Sequence, residues 1–285
     1  MKSKVSEKLM EFVFLISACV SIISVILICY FIFAGGTTAL NKIGILNFLL
    51  GKDWSPTNIP PKFGILPMIM GSIHITIGAV LVGVPIGILT AIFMAKFCPK
   101  KLYKILKPLV NLMAGIPSII YGFFGLVIIV PLIRDIFGGT GNSILTASVL
   151  LGIMILPTII GISEAAIRAV PESYYEGAIA LGATHEQSII FATLPAAKSG
   201  ILSSIILGIG RAIGETMAVV MVAGNQARMP AGILKGIRSL TANIVIEMGY
   251  AADLHREALI ATGVVLFVFI LIINIFFSIF VRRVN

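Results

Sequence analysis

Six stretches of this chain are apolar over more than ~20 residues, about 12–34, 67–95, 108–132, 143–163, 198–224 and 258–281, and nothing else constrains its fold as much. A run of ~20 apolar residues at 1.5 Å each reaches across the hydrocarbon core of a bilayer. Backbone amides and carbonyls in that medium must be satisfied within their own segment, so such runs become helices. The expectation is an all-α, polytopic membrane protein with about six transmembrane helices, a single transmembrane domain over residues 1–285. Composition agrees: 58% hydrophobic, 12% charged and a mean hydropathy of +1.09 lie outside the usual range of soluble domains. No segment is long enough to form the basic surface domain that nucleic-acid binding needs. The net charge of +9 therefore reports orientation first.

An even number of spans puts both termini on one side. Of the 21 Lys and Arg, 12 fall on that side and 8 on the other, with Arg211 inside the membrane. The bias favours cytoplasmic termini, and the loop Lys96–Lys107 carries the clearest share of it. The first run, Phe12–Ala34, exceeds the ~7–15 residues of a signal-peptide core and lacks a small-residue cleavage pattern, so it is read as a retained span. Cys19, Cys29 and Cys98 form no metal or redox spacing.

The fifth run, Lys198–Gly224, is the unusual one. It carries Arg211 and Glu215, and a charge at mid-membrane costs from ~3 to more than ~10 kcal/mol, so it faces a bundle interior or an aqueous path. In a continuous helix a spacing of four puts both on one face, within reach of each other. Gly210, Gly214 and Ala218 form a small-residue stripe beside them, suited to close helix packing. Two readings remain open here: a site on a substrate path, or a buried ion pair that stiffens the bundle.

Between the runs, two loops stand out. Residues 35–66 hold Trp54 and Phe63 with Pro56, Pro60 and Pro61, which preclude an ordinary helix; the aromatics suit an interfacial anchor or a partner contact. The segment 225–257, with Asn225, Gln226, Arg228, Lys235 and Arg238, reads as a loop on the same side: a weakly basic vestibule, partly cancelled by Glu247, Asp253 and Glu257, or ordinary solvated surface. The connection 164–198 is longer than neighbouring helices require. Pro171 suits a helix start, Ser173–Glu176 and Thr184–Gln187 have capping-box spacing, and Gly182 lies between them. The pattern predicts two short helices joined by a glycine elbow, a knob at the cytoplasmic face.

In that knob Glu176-Gly177-Ala178, then Gly182, then Leu194-Pro195 resembles the EAA loop of bacterial ABC-importer membrane subunits. Gly177 stands where the pattern has Ala, and Ala192 where Ile is usual; Glu164-Ala165-Ala166 lacks a glycine at the matching distance. Trp54-Ser55-Pro56, Phe63–Pro67, Gly71-Ser72, Ala114–Ser118 and Gly210–Ala218 extend the likeness over nearly the whole chain, and together they look like the PstC-type permease family of the phosphate importer. The resemblance implies a type I ABC importer permease fold in the cytoplasmic membrane. It implies a PstA-type permease partner, a PstB-type ATPase dimer and an external PstS-type phosphate-binding protein. It implies coupling through Glu176, Gly177, Ala178, Gly182, Leu194 and Pro195, and phosphate passage at Arg211 and Glu215.

The chain has no G-x-x-x-x-G-K-[ST] run, so hydrolysis, with its ATP and Mg, is expected in a partner and no cofactor in this chain. A proton-coupled secondary anion transporter could use Glu215 as its carrier, but it has no use for an elbowed knob and often shows repeated halves. Another oxyanion, sulfate or molybdate, fits the composition as well as phosphate does. An intramembrane enzyme would need a second group beside His74, which stands alone in its run.

Overall fold

The structure is a computed structural model that describes the backbone of residues 2–284 and the side chains of 7–276, 278 and 279. Lys2, Lys4, Arg282 and Arg283, which enter the charge bias, lie outside the described side chains. Helix α1 (Lys2–Ile43) is followed by α2 (Ile45–Leu50) and a two-residue hairpin, β1 (Trp54–Ser55) with β2 (Lys62–Phe63). Then come α3 (Leu66–Ile92, extended by a π-helical turn to Phe97), α4 (Lys100–Gly115), α5 (Ser118–Phe124), a π-helical turn at Gly125–Ile129 and α6 (Val130–Phe137). Helix α7 (Ile144–Arg168) leads to the knob: α8 (Glu172–Ala180), α9 (His185–Ser188), a π-helical turn at Ile189–Thr193 and α10 (Leu194–Ala196). The chain closes with α11 (Lys198–Gly214), α12 (Met217–Val222), α13 (Leu240–Glu247) and α14 (Asp253–Val284).

Among the described residues five helices are long and apolar enough to span a membrane: Glu7–Ile43, Leu66–Phe97, Ser118–Phe137, Ile144–Arg168 and Asp253–Phe276. A sixth arises only if the pair His185–Ala196 and Lys198–Gly214, which meet at 68°, is counted as one. Two expected boundaries change for identifiable reasons. The run 108–132 is interrupted where Ile116 is extended before Pro117, because the pre-proline position avoids helical dihedrals. Its first part belongs to the lysine-rich amphipathic α4. The run 198–224 is broken at Glu215, as described below.

The centre of the bundle is α7 against α3. Small residues let these helices approach: a Cβ on Gly83 would lie 2.7 Å from Ile155, and one on Gly152 would lie 3.0 Å from Val82. Around this pair Leu150, Leu151, Met154, Ile155 and Ile159 are buried with Val219 and Val222 of α12. A second core ties α1 to α14 and the hairpin, with Phe48, Trp54, Phe63, Met68 and Leu259 at its centre. Trp54 and Phe63 are thus core residues, edge to face at 5.9 Å, rather than interfacial anchors. Over Glu7–Ile28 the side chains of α1 point outward.

Candidate functional site

Helix α11 ends at Gly214, where Glu215 turns to an extended conformation (φ −68°, ψ 133°) and Thr216 follows at φ −122°. Gly208, Gly210 and Gly214 make this end of the helix weak, since each lacks the propensity of a side-chain-bearing residue. The break is held locally. The Glu215 carboxylate accepts from the Ala218 amide (3.2 Å), and the Thr216 hydroxyl donates to the Gly214 carbonyl (3.2 Å). The four-residue spacing therefore does not put Arg211 and Glu215 on one face, and among the described residues they form no ion pair. That overturns both the expected pair and the alternative of an intrahelical stiffening bridge.

Arg211 instead donates from Nη1 to the Thr158 hydroxyl of α7 (3.2 Å). It lies within electrostatic reach of Tyr121, whose own hydroxyl bonds the Met113 carbonyl (2.9 Å) and braces the α4–α5 break. Among the described residues no carboxylate lies within ion-pairing distance of Arg211. A half-buried guanidinium in an apolar bundle with one neutral partner keeps most of its five donors for something else.

The small-residue stripe divides. Ala218 is fully buried on α12, and a Cβ on Gly122 of α5 would lie 3.0 Å from its Cα, so these two do permit close helix contact. Gly210 and Gly214 meet nothing within 4 Å of a built Cβ, so their face is open within this chain. His74, on α3, is satisfied by the Met70 carbonyl of its own helix (2.7 Å).

At one end of the bundle the knob forms much as its spacing indicates. Gly182 has φ +88°, a left-handed conformation that glycine adopts without steric cost. Thr184 and Gln187 close a reciprocal capping box around α9. The Ser173 box does not form, because α8 is entered from Pro171 with no side-chain cap. Glu176 and Gly177 are exposed, Ala178 half-buried, Leu194 half-buried and Pro195 exposed. None of α8 is buried, while Leu181 is 91% and Phe191 77% exposed. Such apolar exposure on a polar face marks a surface that meets another protein. The knob is seated on the end of α3 by His185 against Phe97 (5.1 Å between rings), and within the knob the Tyr175 hydroxyl meets His185 Nδ1 (2.9 Å) and ties α8 to α9.

Beneath the knob, Glu164 is buried at 1% exposure and holds three partners: Lys107 (2.6 Å), Tyr103 (2.7 Å) and Arg168 (2.7 Å). Arg168 also donates to the Met94 carbonyl (2.8 Å). At the opposite end, segment 225–257 is not a solvated loop: α13 is buried over Leu240–Asn243. Glu247 there accepts from Trp54 (2.9 Å), pairs with Arg238 and contacts His255 at 2.8 Å.

A helical bundle with a broken, charge-bearing helix beside its α3–α7 centre and an exposed two-helix knob at one end is the architecture of the membrane subunit of a multi-component transporter. The chain belongs to the family of binding-protein-dependent transport system inner membrane components, which it matches over residues 83–285. It is 38% identical to the probable ABC transporter permease protein YqgH of Bacillus subtilis, over 91% of this chain and 88% of that one. It is 35% identical to the phosphate transport system permease protein PstC of Mesorhizobium japonicum, covering 83% and 78% respectively. The probable PstC of Methanocaldococcus jannaschii is 33% identical, covering 90% and 88%. In fold it is similar to a chain of the MetNI methionine ABC transporter, with a TM-score of 0.63 and 22% identity over 78% of this chain and 96% of that one. A bacterial alginate ABC transporter chain superposes with a TM-score of 0.64 at 18% identity, covering 93% and 92%. The type I ABC importer permease fold expected from the sequence is the fold of the chain.

Proposed function

We propose that this chain is one of two permease subunits of an ATP-driven phosphate importer, and that Arg211 is the cationic point at which the anion is held in passage. The observation that carries this reading is the lone guanidinium. An intramembrane charge without a carboxylate is costly, and an anion on the transport path removes that cost for as long as it stays. The Thr158 hydroxyl can turn to donate to the same anion. The names of the PstC relatives supply phosphate as the anion.

The remaining parts follow from the same reading. The second permease is of the PstA type and stands across the path from the open flank at Gly210 and Gly214, so that the anion passes between the two subunits. A PstB-type ATPase dimer, which binds the ATP and Mg, seats the knob through Glu176, Gly177, Ala178, Gly182, Leu194 and Pro195. This places the knob and both termini in the cytoplasm. A PstS-type protein delivers phosphate to the opposite face. Closure of the ATPases pushes the knob, and α10 passes that movement into α11 across the 68° bend. Glu215, at the end of α11, tempers the positive site so that the anion is not held too tightly to leave.

The test is phosphate uptake by the reconstituted complex carrying Arg211→Gln, with assembly followed separately. Loss of one charge-assisted bond is worth ~1.5–3 kcal/mol, so uptake falls about 10- to 100-fold in a complex that still assembles. Unchanged phosphate uptake removes the anion role, and uptake of sulfate in place of phosphate corrects the substrate.

A further inference from the structure

The six-residue α12 is held at both of its ends by the segment around α13. At its start, the Thr241 hydroxyl donates to the carbonyl of Glu215, the first residue of the break (3.0 Å). At its far end, Arg238 Nε donates to the Asn225 carbonyl (3.0 Å), and Asn225 in turn caps α12 through Nδ2 on the Val220 carbonyl (2.7 Å). The segment is itself fixed from three sides. Ser72 of α3 accepts from the Leu240 amide (3.0 Å), Glu247 holds Arg238, and Glu247 also receives Trp54 of the hairpin and His255 of α14.

Two features leave polar groups around this attachment without partners. Asn225 Oδ1 and Asn243 Nδ2 are buried without a partner among the described residues. They are an acceptor and a donor on two residues that Arg238 joins, through the Asn225 backbone carbonyl and the Asn243 side-chain Oδ1 (3.0 Å each). Orphaned buried groups are uncommon, and a complementary pair is what a second arrangement would satisfy. Beside the break, Ser72, Thr76, Glu215 and Ser239 line a cavity of about 10 Å³, room for at most one water. The break therefore has polar groups and little filling on one side.

We propose that Thr241 is a positioning residue that latches the Glu215–Thr216 break, so that movement of α13 at the outer face sets whether α12 closes the path above Arg211. The inference rests on the reading of the Arg211 flank as the path, but not on the identity of the anion. A binding protein acting on the hairpin or α13 would reach the break through the Thr241 hydroxyl, while the far end of α12 stays tied to the same segment by Arg238 on the Asn225 carbonyl and by the Ile237 amide on the Ala223 carbonyl (2.9 Å).

The experiment uses the assembled transporter in vesicles, in a background where Cys19, Cys29 and Cys98 are replaced by Ala and Gly214→Cys is added. Position 214 is exposed and a Cβ there meets nothing within 4 Å. A membrane-impermeant thiol reagent is added from outside and its rate of reaction is followed. Thr241→Val keeps the shape but removes the donor, and labelling is expected to rise about two- to tenfold, the shift one lost hydrogen bond produces in a two-state element. Thr241→Ser is expected to restore the parental rate. If Thr241→Val does not assemble, Ser72→Ala, which frees the Leu240 amide, is read in the same way. Unchanged or absent labelling in the assembled variant overturns the latch, and so does an equal rise in Thr241→Ser. Labelling needs no phosphate, so failure of the anion assignment at Arg211 is seen separately.

Discussion

At the scale of the residue, two of the charged centres of this protein behave in opposite ways. Among the described residues Arg211 is left with a single neutral partner, whereas Glu164 collects three. Tyr103 is the partner of Glu164 whose effect can be isolated. Its phenol pKa is raised above the ordinary value of 10.0, chiefly by the hydrogen bond it gives to Glu164, then by burial and by the charge of Glu164. A group with a raised folded pKa contributes stability that is complete below its unfolded value and lost as pH climbs through the folded one. Tyr103→Phe should therefore lower the thermal stability of the detergent-solubilised protein at neutral pH by ~1.5–3 kcal/mol. The gap between variant and parent should close above pH 10.0, and a gap independent of pH would assign the effect to packing. None of this is legible in the sequence. Glu164 is passed over there for want of a glycine at the right distance, and its tyrosine lies 61 residues upstream. Arg211 and Glu215 are singled out in the sequence as charges within an apolar run, but spacing alone cannot show that a helix stops between them.

At the scale of the element, the knob is the part that local chemistry determines best, because a glycine elbow and a capping box act over a few residues of chain. The break in the fifth run is the part it determines least: glycine is common in membrane helices, and the hydrogen bond that fixes the break comes from Thr241, 26 residues away. The same contrast separates the knob's two glycines. Gly182 sits at φ +88° with open space around it, so Gly182→Ala meets only backbone strain, ~1–2 kcal/mol. That is enough to misdirect α8 relative to α9. ATP-driven uptake should fall several-fold while membrane insertion and the unfolding midpoint change little. Gly177 is helical, exposed and equally uncrowded. Gly177→Ala restores the commoner loop pattern and should stabilise α8 by ~0.5–1 kcal/mol with transport unimpaired. Loss of uptake in Gly177→Ala would mean that the ATPase surface approaches that backbone too closely for a methyl group.

At the scale of the whole molecule, the two ends of the bundle are chemically distinct, and the distinction predicts how it sits in the membrane. One end carries α4, the Lys96–Lys107 segment and the exposed knob; the other carries the hairpin, α13 and the Lys42–Glu257 pair (2.9 Å). Lysine-rich short loops stay on the cytoplasmic side, so Cys98, at the junction of α3 and α4, should face the cytoplasm. Ile59, at the hairpin tip and 100% exposed, should face outward. A protein retaining Cys98 but carrying Cys19→Ala and Cys29→Ala should react with an impermeant maleimide in inside-out vesicles and not in right-side-out ones. Adding Ile59→Cys with Cys98→Ala should reverse the pattern. The two probes must report opposite sides, because an odd number of membrane crossings separates them. The hairpin lies before α3 and Cys98 after it, and α3 with its π-helical extension is a single uninterrupted span. Labelling of both from one side would mean that α3 does not cross, and the knob could then not meet an ATPase opposite the face that receives the binding protein. Labelling from the reversed sides would preserve the fold but place the knob outside, where no ATP is available to drive it.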